Sequence, residues 1–123
     1  KCDVGIVNSY YLARLKKQNP KIPVALFWPN QKSSGVHVNI SGAGVLRNSK
    51  QKKLATSFLE WLSQSSSQKL FAELNHEYPV LSGVSFSPIV QSWGSFKPSK
   101  TPLSKAGELQ VAAIKLMDRV KYR

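Results

Sequence analysis

The stretch Asp3-Val-Gly-Ile-Val-Asn-Ser-Tyr-Tyr-Leu-Ala-Arg-Leu15 decides how this chain is read. Val4, Ile6 and Val7 make a short apolar run, expected to be a buried strand over 3–7. Asn8 and Ser9 are both good helix N-caps, so a helix is expected over 9–17. Leu12 and Leu15 would share its inner face, and Lys16 and Lys17 would sit at its C-terminal end, where cations suit the dipole. Tyr10 and Tyr11 then fall in the first turn. A phenol with a pKa of about 10 is a poor metal ligand. A hard trivalent cation changes that, because its charge dominates the local pKa and favours the phenolate. The helix N-terminus adds partial positive charge and free N–H groups. Two hard oxygens side by side suit a ferric ion better than a soft metal. The pair is also open to an ordinary reading, in which one ring packs and the other stays exposed. Arg14, three and four residues on, is placed to pair a phenolate or a bound anion, or to be a solvated arginine.

Working outward, Asn19-Pro20 and Pro23 stop the helix, and Val24-Ala-Leu-Phe-Trp28 reads as a second buried strand ended by Pro29. Gln31 to Ser34 is a polar turn. Val36, Val38 and Ile40 alternate with His37, Asn39 and Ser41, the period of a half-buried strand. Gly42 and Gly44 allow tight turning. Ser49 is expected to cap a helix reaching about Ser63, with Leu54, Phe58, Leu59 and Leu62 inward. Ser65-Ser-Ser67 would cap a shorter helix with Leu70, Phe71 and Leu74 inward. Residues 75–103, broken by Pro79, Pro88, Pro98 and Pro102, read as irregular. A last helix begins at Ser104, and Leu109, Ala112, Ala113, Leu116, Met117 and Val120 give it the clearest amphipathic pattern in the chain. These elements indicate an α/β class, with too few strands for a self-contained sheet.

Composition bounds the function more loosely. In 123 residues, 18 Lys and Arg stand against 6 Asp and Glu, a formal charge of +12. Such a balance raises nucleic-acid binding. The basic residues, however, are scattered over Lys16-Lys17, Lys50 to Lys53, Lys97 to Lys105 and Lys115 to Arg123. There is no Arg-rich arm, zinc spacing or aromatic-basic RNP pattern. A solvated surface, or attraction to an anionic membrane face, fits the scatter. Cys2 is the single cysteine and cannot form an internal disulfide; a small buried residue is the expected role. His37 reads as a structural histidine bonded to a loop carbonyl, and His76 as a surface group at a helix end. Trp28, Trp61 and Trp93 read as packing residues. No G-x-S-x-G, H-E-x-x-H or P-loop spacing is present.

Read together, the blocks carry a resemblance. Val4-Gly-Ile-Val-Asn-Ser-Tyr-Tyr11 resembles the tyrosine-pair segment of bacterial ferric-iron-binding periplasmic proteins, the capture components of iron ABC importers. Phe27-Trp-Pro-Asn-Gln31 with Gly35-Val-His-Val-Asn-Ile-Ser-Gly-Ala-Gly44 resembles the next block, and Glu77-Tyr-Pro-Val80 and Ser92-Trp-Gly-Ser-Phe96 resemble two later landmarks. The blocks occur in the family's order over nearly the whole chain, and the similarity is greatest to the cyanobacterial-type proteins.

This resemblance implies an α/β chain that is part of a two-lobe type II periplasmic-binding fold and matches its C-terminal portion. Residues 1–29 would supply part of the C-terminal lobe, with the tyrosine pair and a crossing strand. Residues 30–123 would supply part of the N-terminal lobe with its terminal helices. The function implied is capture of Fe(3+) by tyrosinate ligands Tyr10 and Tyr11 and delivery to an inner-membrane permease, without enzyme activity. Arg14 would serve a synergistic anion such as carbonate, or stand behind the ligands. Further ligands in the family come from earlier in the chain, and no residue here takes those roles. The protein is expected to be periplasmic, drawn toward the membrane by its charge, monomeric when full length, and without a nucleic-acid partner. Two alternatives remain open on the sequence. One is a binding protein of the same architecture for an anion or organic cation; the other is a basic nucleic-acid-binding module.

Overall fold

The computed structural model describes residues 3–122, so Cys2 lies outside the described residues. Regular structure consists of α1 (Ser9–Gln18), α2 (Lys52–Leu62), α3 (Ser65–Leu70), a π-helical turn (Phe71–Asn75), α4 (Pro88–Gln91) and α5 (Leu103–Arg119). The chain divides into two compact units. One combines Lys1–Phe27 with Gly42–Ser95, and the other combines Trp28–Ser41 with Phe96–Arg123.

In the first unit, Asn8 ends the preceding segment in an extended conformation, and its carbonyl accepts the Tyr11 N–H at 3.1 Å to start α1. Asn19, again extended, closes the helix by donating its N–H to the Leu15 carbonyl at 2.8 Å. The buried face is Leu12 and Ala13, not Leu12 and Leu15; Leu15 is 46% exposed. The one-turn helix α4 packs on α1 and covers only part of it. Helix α4 itself interrupts the region expected to be irregular. Pro88 at its first position has the φ a helix start requires and no N–H to leave orphaned. Val90 is fully buried.

Helix α2 starts at Lys52, later than Ser49. The Ser49 hydroxyl accepts the Gln51 N–H at 3.2 Å within a turn instead of capping the helix. Its apolar face is largely open: Leu54 and Phe58 are exposed, and Trp61 lies against the Phe58 ring at 5.8 Å between centroids. The serine run falls inside α3, with Gln64 at the cap position and Ser67 buried. Gln68 ties this corner together, donating to the Leu62 carbonyl and accepting the Val80 N–H, each at 2.9 Å. The π turn that follows corrects the expected inner face. Its wider hydrogen-bonding register breaks the 3.6-residue period, so Ala72 is buried while Leu70 and Leu74 are exposed.

In the second unit, residues 29–34 form the expected turn around Asn30, which adopts a positive φ of 57°. The Asn30 carbonyl accepts from Ser33 and Gly35. Gln31 clamps this turn to the distant chain segment: its Oε1 accepts the Lys97 N–H at 2.6 Å and its Nε2 donates to the Lys97 carbonyl at 3.3 Å. Val36 donates to the Lys97 carbonyl and accepts from Ser99, making a single parallel bridge with Pro98. Gly35, at φ 85°, is required here, because a Cβ would lie 2.6 Å from the backbone oxygens of Lys97 and Pro98. Trp28 packs on Phe96 at 4.5 Å between ring centroids. No residue of α5 is buried, so its apolar stripe forms as expected but meets no cover.

The expected strands at 3–7, 24–28 and 36–41 do not form. Among the described residues, the Val36–Pro98 bridge is the extent of β pairing. A strand exists through the ladder it shares with a neighbour, and these segments have none; Val4 and Ile6 are 83% and 86% exposed.

Candidate functional site

The N-terminal turn of α1 brings Tyr10, Tyr11 and Arg14 together. The two phenol rings lie 4.6 Å apart between centroids, tilted by 49°. Tyr10 is half-buried and Tyr11 is 49% exposed, so one ring is partly sheltered while the other faces outward. Helical geometry puts consecutive side chains about 100° apart, so the rings meet in a tilted contact on one turn. Arg14, one turn on, places its guanidinium over the Tyr10 ring, 5.2 Å from the centroid, a cation–π arrangement that also leaves a positive charge beside the phenols.

Asn8 contributes a contact that sequence reasoning missed. It occupies the cap position of α1 but makes no side-chain cap bond. Its Nδ2 donates instead to the Tyr10 hydroxyl oxygen at 3.0 Å. An amide donor on that oxygen orients it. No sequence signal separates this role from ordinary capping, since both call for the same residue at the same place.

The Tyr11 hydroxyl is held above its ordinary pKa of 10.0. Hydrogen bonding with Tyr10 is the main cause, followed by the charge Tyr10 would carry if ionised and by partial burial; Arg14 works in the opposite direction. The pair therefore resists losing two protons unless a further positive charge arrives. Among the described residues no three His, Cys, Asp or Glu side chains gather into a cluster, so the tyrosine pair is the candidate centre.

The histidines depart from expectation. His37 is exposed. His76 is not a surface group but is 5% exposed, because it takes a left-handed conformation (φ 60°, ψ 35°) that ends the π turn and turns the ring inward. Its Nδ1 lies 3.1 Å from the Ser87 hydroxyl. Burial, then the charges of Lys17 and Arg14, hold its pKa below the usual 6.5. Of the tryptophans, Trp28 and Trp93 are half-buried and Trp61 is 44% exposed.

The family model for bacterial extracellular solute-binding proteins matches residues 3–98. The chain belongs to this family. Iron uptake protein A2 of Synechocystis is 41% identical over 98% of the chain, which spans 37% of that protein. A Trichodesmium protein, IdiA (FutA), solved in complex with iron and citrate ligands, superposes with a TM-score of 0.85 at 47% identity, covering 95% of this chain and 39% of that one. The ferric binding protein from Campylobacter jejuni superposes with a TM-score of 0.86 at 34% identity, covering 96% of this chain and 39% of that one. This solute-binding chain thus spans a little over a third of the length of the relatives it matches. Its fold is that of part of a two-lobe solute-binding protein, as the agreement with these solved relatives shows.

Proposed function

We propose that this chain is part of the capture component of a ferric-iron ABC importer, and that Tyr10 and Tyr11 bind the ion as tyrosinates. The observation that carries the proposal is the pair itself. Two phenol rings 4.6 Å apart sit on the first turn of a helix, with an amide donor on one oxygen and a guanidinium alongside. Similarity to proteins named for iron uptake and ferric binding supports the choice of metal. A ferric ion supplies positive charge that favours the phenolate over the phenol, so Tyr11 can ionise beside Tyr10. Arg14 would hold a synergistic anion such as carbonate, or offset the second phenolate.

In this reading the cargo is bound and released unchanged, and no bond is made or broken in it. Residues 1–29 belong to the C-terminal lobe and residues 30–123 to the N-terminal lobe, and closure of the lobes takes the ion out of water. Differential affinity for the closed state drives that shift. The protein works in the periplasm as a monomer, delivers to an inner-membrane permease, and its positive charge keeps it near an anionic membrane face. The basic residues serve that solvated surface and no nucleic acid.

The test uses the full-length protein. Ferric loading should produce a visible phenolate-to-iron charge-transfer band. Replacing either tyrosine by phenylalanine keeps the ring and removes the oxygen, and should weaken both the band and the affinity. A Tyr10→Phe/Tyr11→Phe double variant with unchanged colour and affinity would overturn the assignment. Binding of an anion or organic cation without colour would point to a different ligand.

A further inference from the structure

The buried residues of the first unit make a small, mixed set. Leu12 and Ala13 of α1, Ala72 of the π turn and Val90 of α4 are its apolar members; Ser67, His76 and Ser87 are its polar ones, exposed by 1%, 5% and 2%. Ser87 stands at the N-cap of α4, the position where serine ordinarily accepts a helix N–H. It makes no such cap bond. Its hydroxyl lies 3.1 Å from His76 Nδ1 instead. The other ring nitrogen, Nε2, is buried without a hydrogen-bond partner. The backbone of His76 is in the left-handed region, which non-glycine residues occupy only when their surroundings hold them there. His76 and Ser87 therefore join the end of the π turn to the start of α4, and α4 packs on α1.

We propose that His76 and Ser87 are positioning residues for the tyrosine helix, and that the brace they form is firm only while the imidazole is neutral. In the neutral ring one nitrogen shares a hydrogen with Ser87 and the other is left over. In the imidazolium both nitrogens are donors, and Nε2–H then points at no acceptor inside a buried site. Burial and the cations facing it from α1 outweigh any relief from the flanking chain. Arg14 and Lys17 on α1 are both positive, and α4 carries no ionisable side chain. On the flanking chain, Lys69 of α3 pairs with Glu73 at 3.8 Å, Glu77 is half-buried next to the histidine, and the Tyr78 phenol is held neutral by burial. Protonation thus places a third positive group by the inner side of α1, and the relief available is for the imidazole to leave the cluster. Helix α4 loses its tie to the π turn, and the first turn of α1, where the tyrosines sit, loses its backing.

The proposal concerns the packing of α1, and its bearing on cargo rests on the iron reading above. It is tested without iron so that the two fail separately. In the metal-free full-length protein, the His76 ring resonance is followed by NMR between about pH 8 and pH 5, where histidine titrates. Amide-exchange protection along α1 is measured over the same range, corrected for the intrinsic rate. The expected results are a His76 titration below its ordinary value of 6.5 and a loss of protection in α1 that follows the same curve. His76→Asn keeps a polar residue that tolerates the left-handed conformation but does not titrate. It should retain α1 protection at both ends of the range and abolish the pH dependence. Ser87→Ala should lower α1 protection even at about pH 8. A His76 resonance titrating at or above its ordinary value, or α1 protection with the same pH dependence in wild type and His76→Asn, overturns the proposal.

Discussion

At the scale of single residues, the tyrosine pair shows how one side chain changes meaning with its neighbour. A lone phenol at a helix start is half packing and half surface. Here Tyr10 makes the Tyr11 hydroxyl harder to ionise, and Arg14 works in the opposite direction. Without metal the raised pKa keeps the Tyr11 proton in place at neutral pH, and ligation as a tyrosinate would have to expel it. Acid should therefore release the ion. Titrating the loaded full-length protein downward from neutral pH beside a weak ferric scavenger should lose iron and colour in one step. Iron that stays bound into strong acid while the fold holds would exclude tyrosinate ligation. Asn8 gives a finer test. Because its side chain caps nothing, Asn8→Ala should cost less than the ~1 kcal/mol usual for a lost cap. It should nevertheless lower ferric affinity by roughly 10-fold or more, the scale seen when a group supporting a ligand is removed. A stability loss with unchanged affinity would return Asn8 to an ordinary cap. His76 contributes in the opposite pH direction from a paired cation. Its folded pKa lies below the unfolded one, so its contribution to stability is complete above pH 6.5 and is lost as pH falls below that value through the folded pKa. Chemical denaturation of the metal-free protein across that window, with His76→Asn as the reference, measures it.

At the scale of elements, the helices owe their existence to local sequence and their boundaries to contacts. Helix α1 starts and stops within a residue of where Asn8, Lys17 and Pro20 place it. Helix α5 likewise needs only its own periodicity to form. The second unit depends instead on a close approach of two chain segments far apart in sequence. The Gln31 side chain bonds both backbone groups of Lys97 at 2.6 and 3.3 Å, Val36 bonds the backbone of Lys97 and Ser99 at 2.9 and 2.7 Å, and Gly35 lets the two segments approach. Gly35 carries a prediction at this scale. Alanine there would be held at a positive φ, costing ~1–2 kcal/mol for an L-residue, and its methyl would press on two carbonyl oxygens. Gly35→Ala should destabilise the full-length protein by more than about 2 kcal/mol in denaturant titration. Gly42→Ala, with nothing within 4 Å of the added carbon, should be close to neutral and serves as its control.

At the scale of the whole molecule, the apolar surface is the dominant fact. Ile6, Phe27, Leu46, Leu54, Leu74 and Val111 are each at least 65% exposed, and α2 and α5 contain no buried residue. Soluble monomers rarely leave such faces uncovered. The prediction is that these 123 residues on their own melt without a cooperative transition, or with a heat-capacity change well below the ~12–15 cal/mol/K per residue of a complete domain. A sharp transition with the full heat-capacity change would show that the segment is self-sufficient.

The sequence alone was enough to place Tyr10, Tyr11 and Arg14 on one helical turn, because helix geometry is local: 3.6 residues per turn puts those oxygens and that guanidinium together whatever surrounds them. It was enough also for the family, since the blocks at 4–11, 27–44, 77–80 and 92–96 stand in order along the chain. The strands were beyond it. The apolar runs at 3–7 and 24–28 and the alternation at 36–41 report a capacity for pairing, while pairing itself requires a neighbour that local sequence cannot specify. The inward His76 and its bond to Ser87 were decided by tertiary structure alone, and the turn of Asn8 toward Tyr10 only became visible in the structure. His76 and Ser87 are brought together by non-helical backbone folding back, Asn8 and Tyr10 by the conformation at the helix start, and a left-handed residue or an unused cap leaves no periodic trace in the chain.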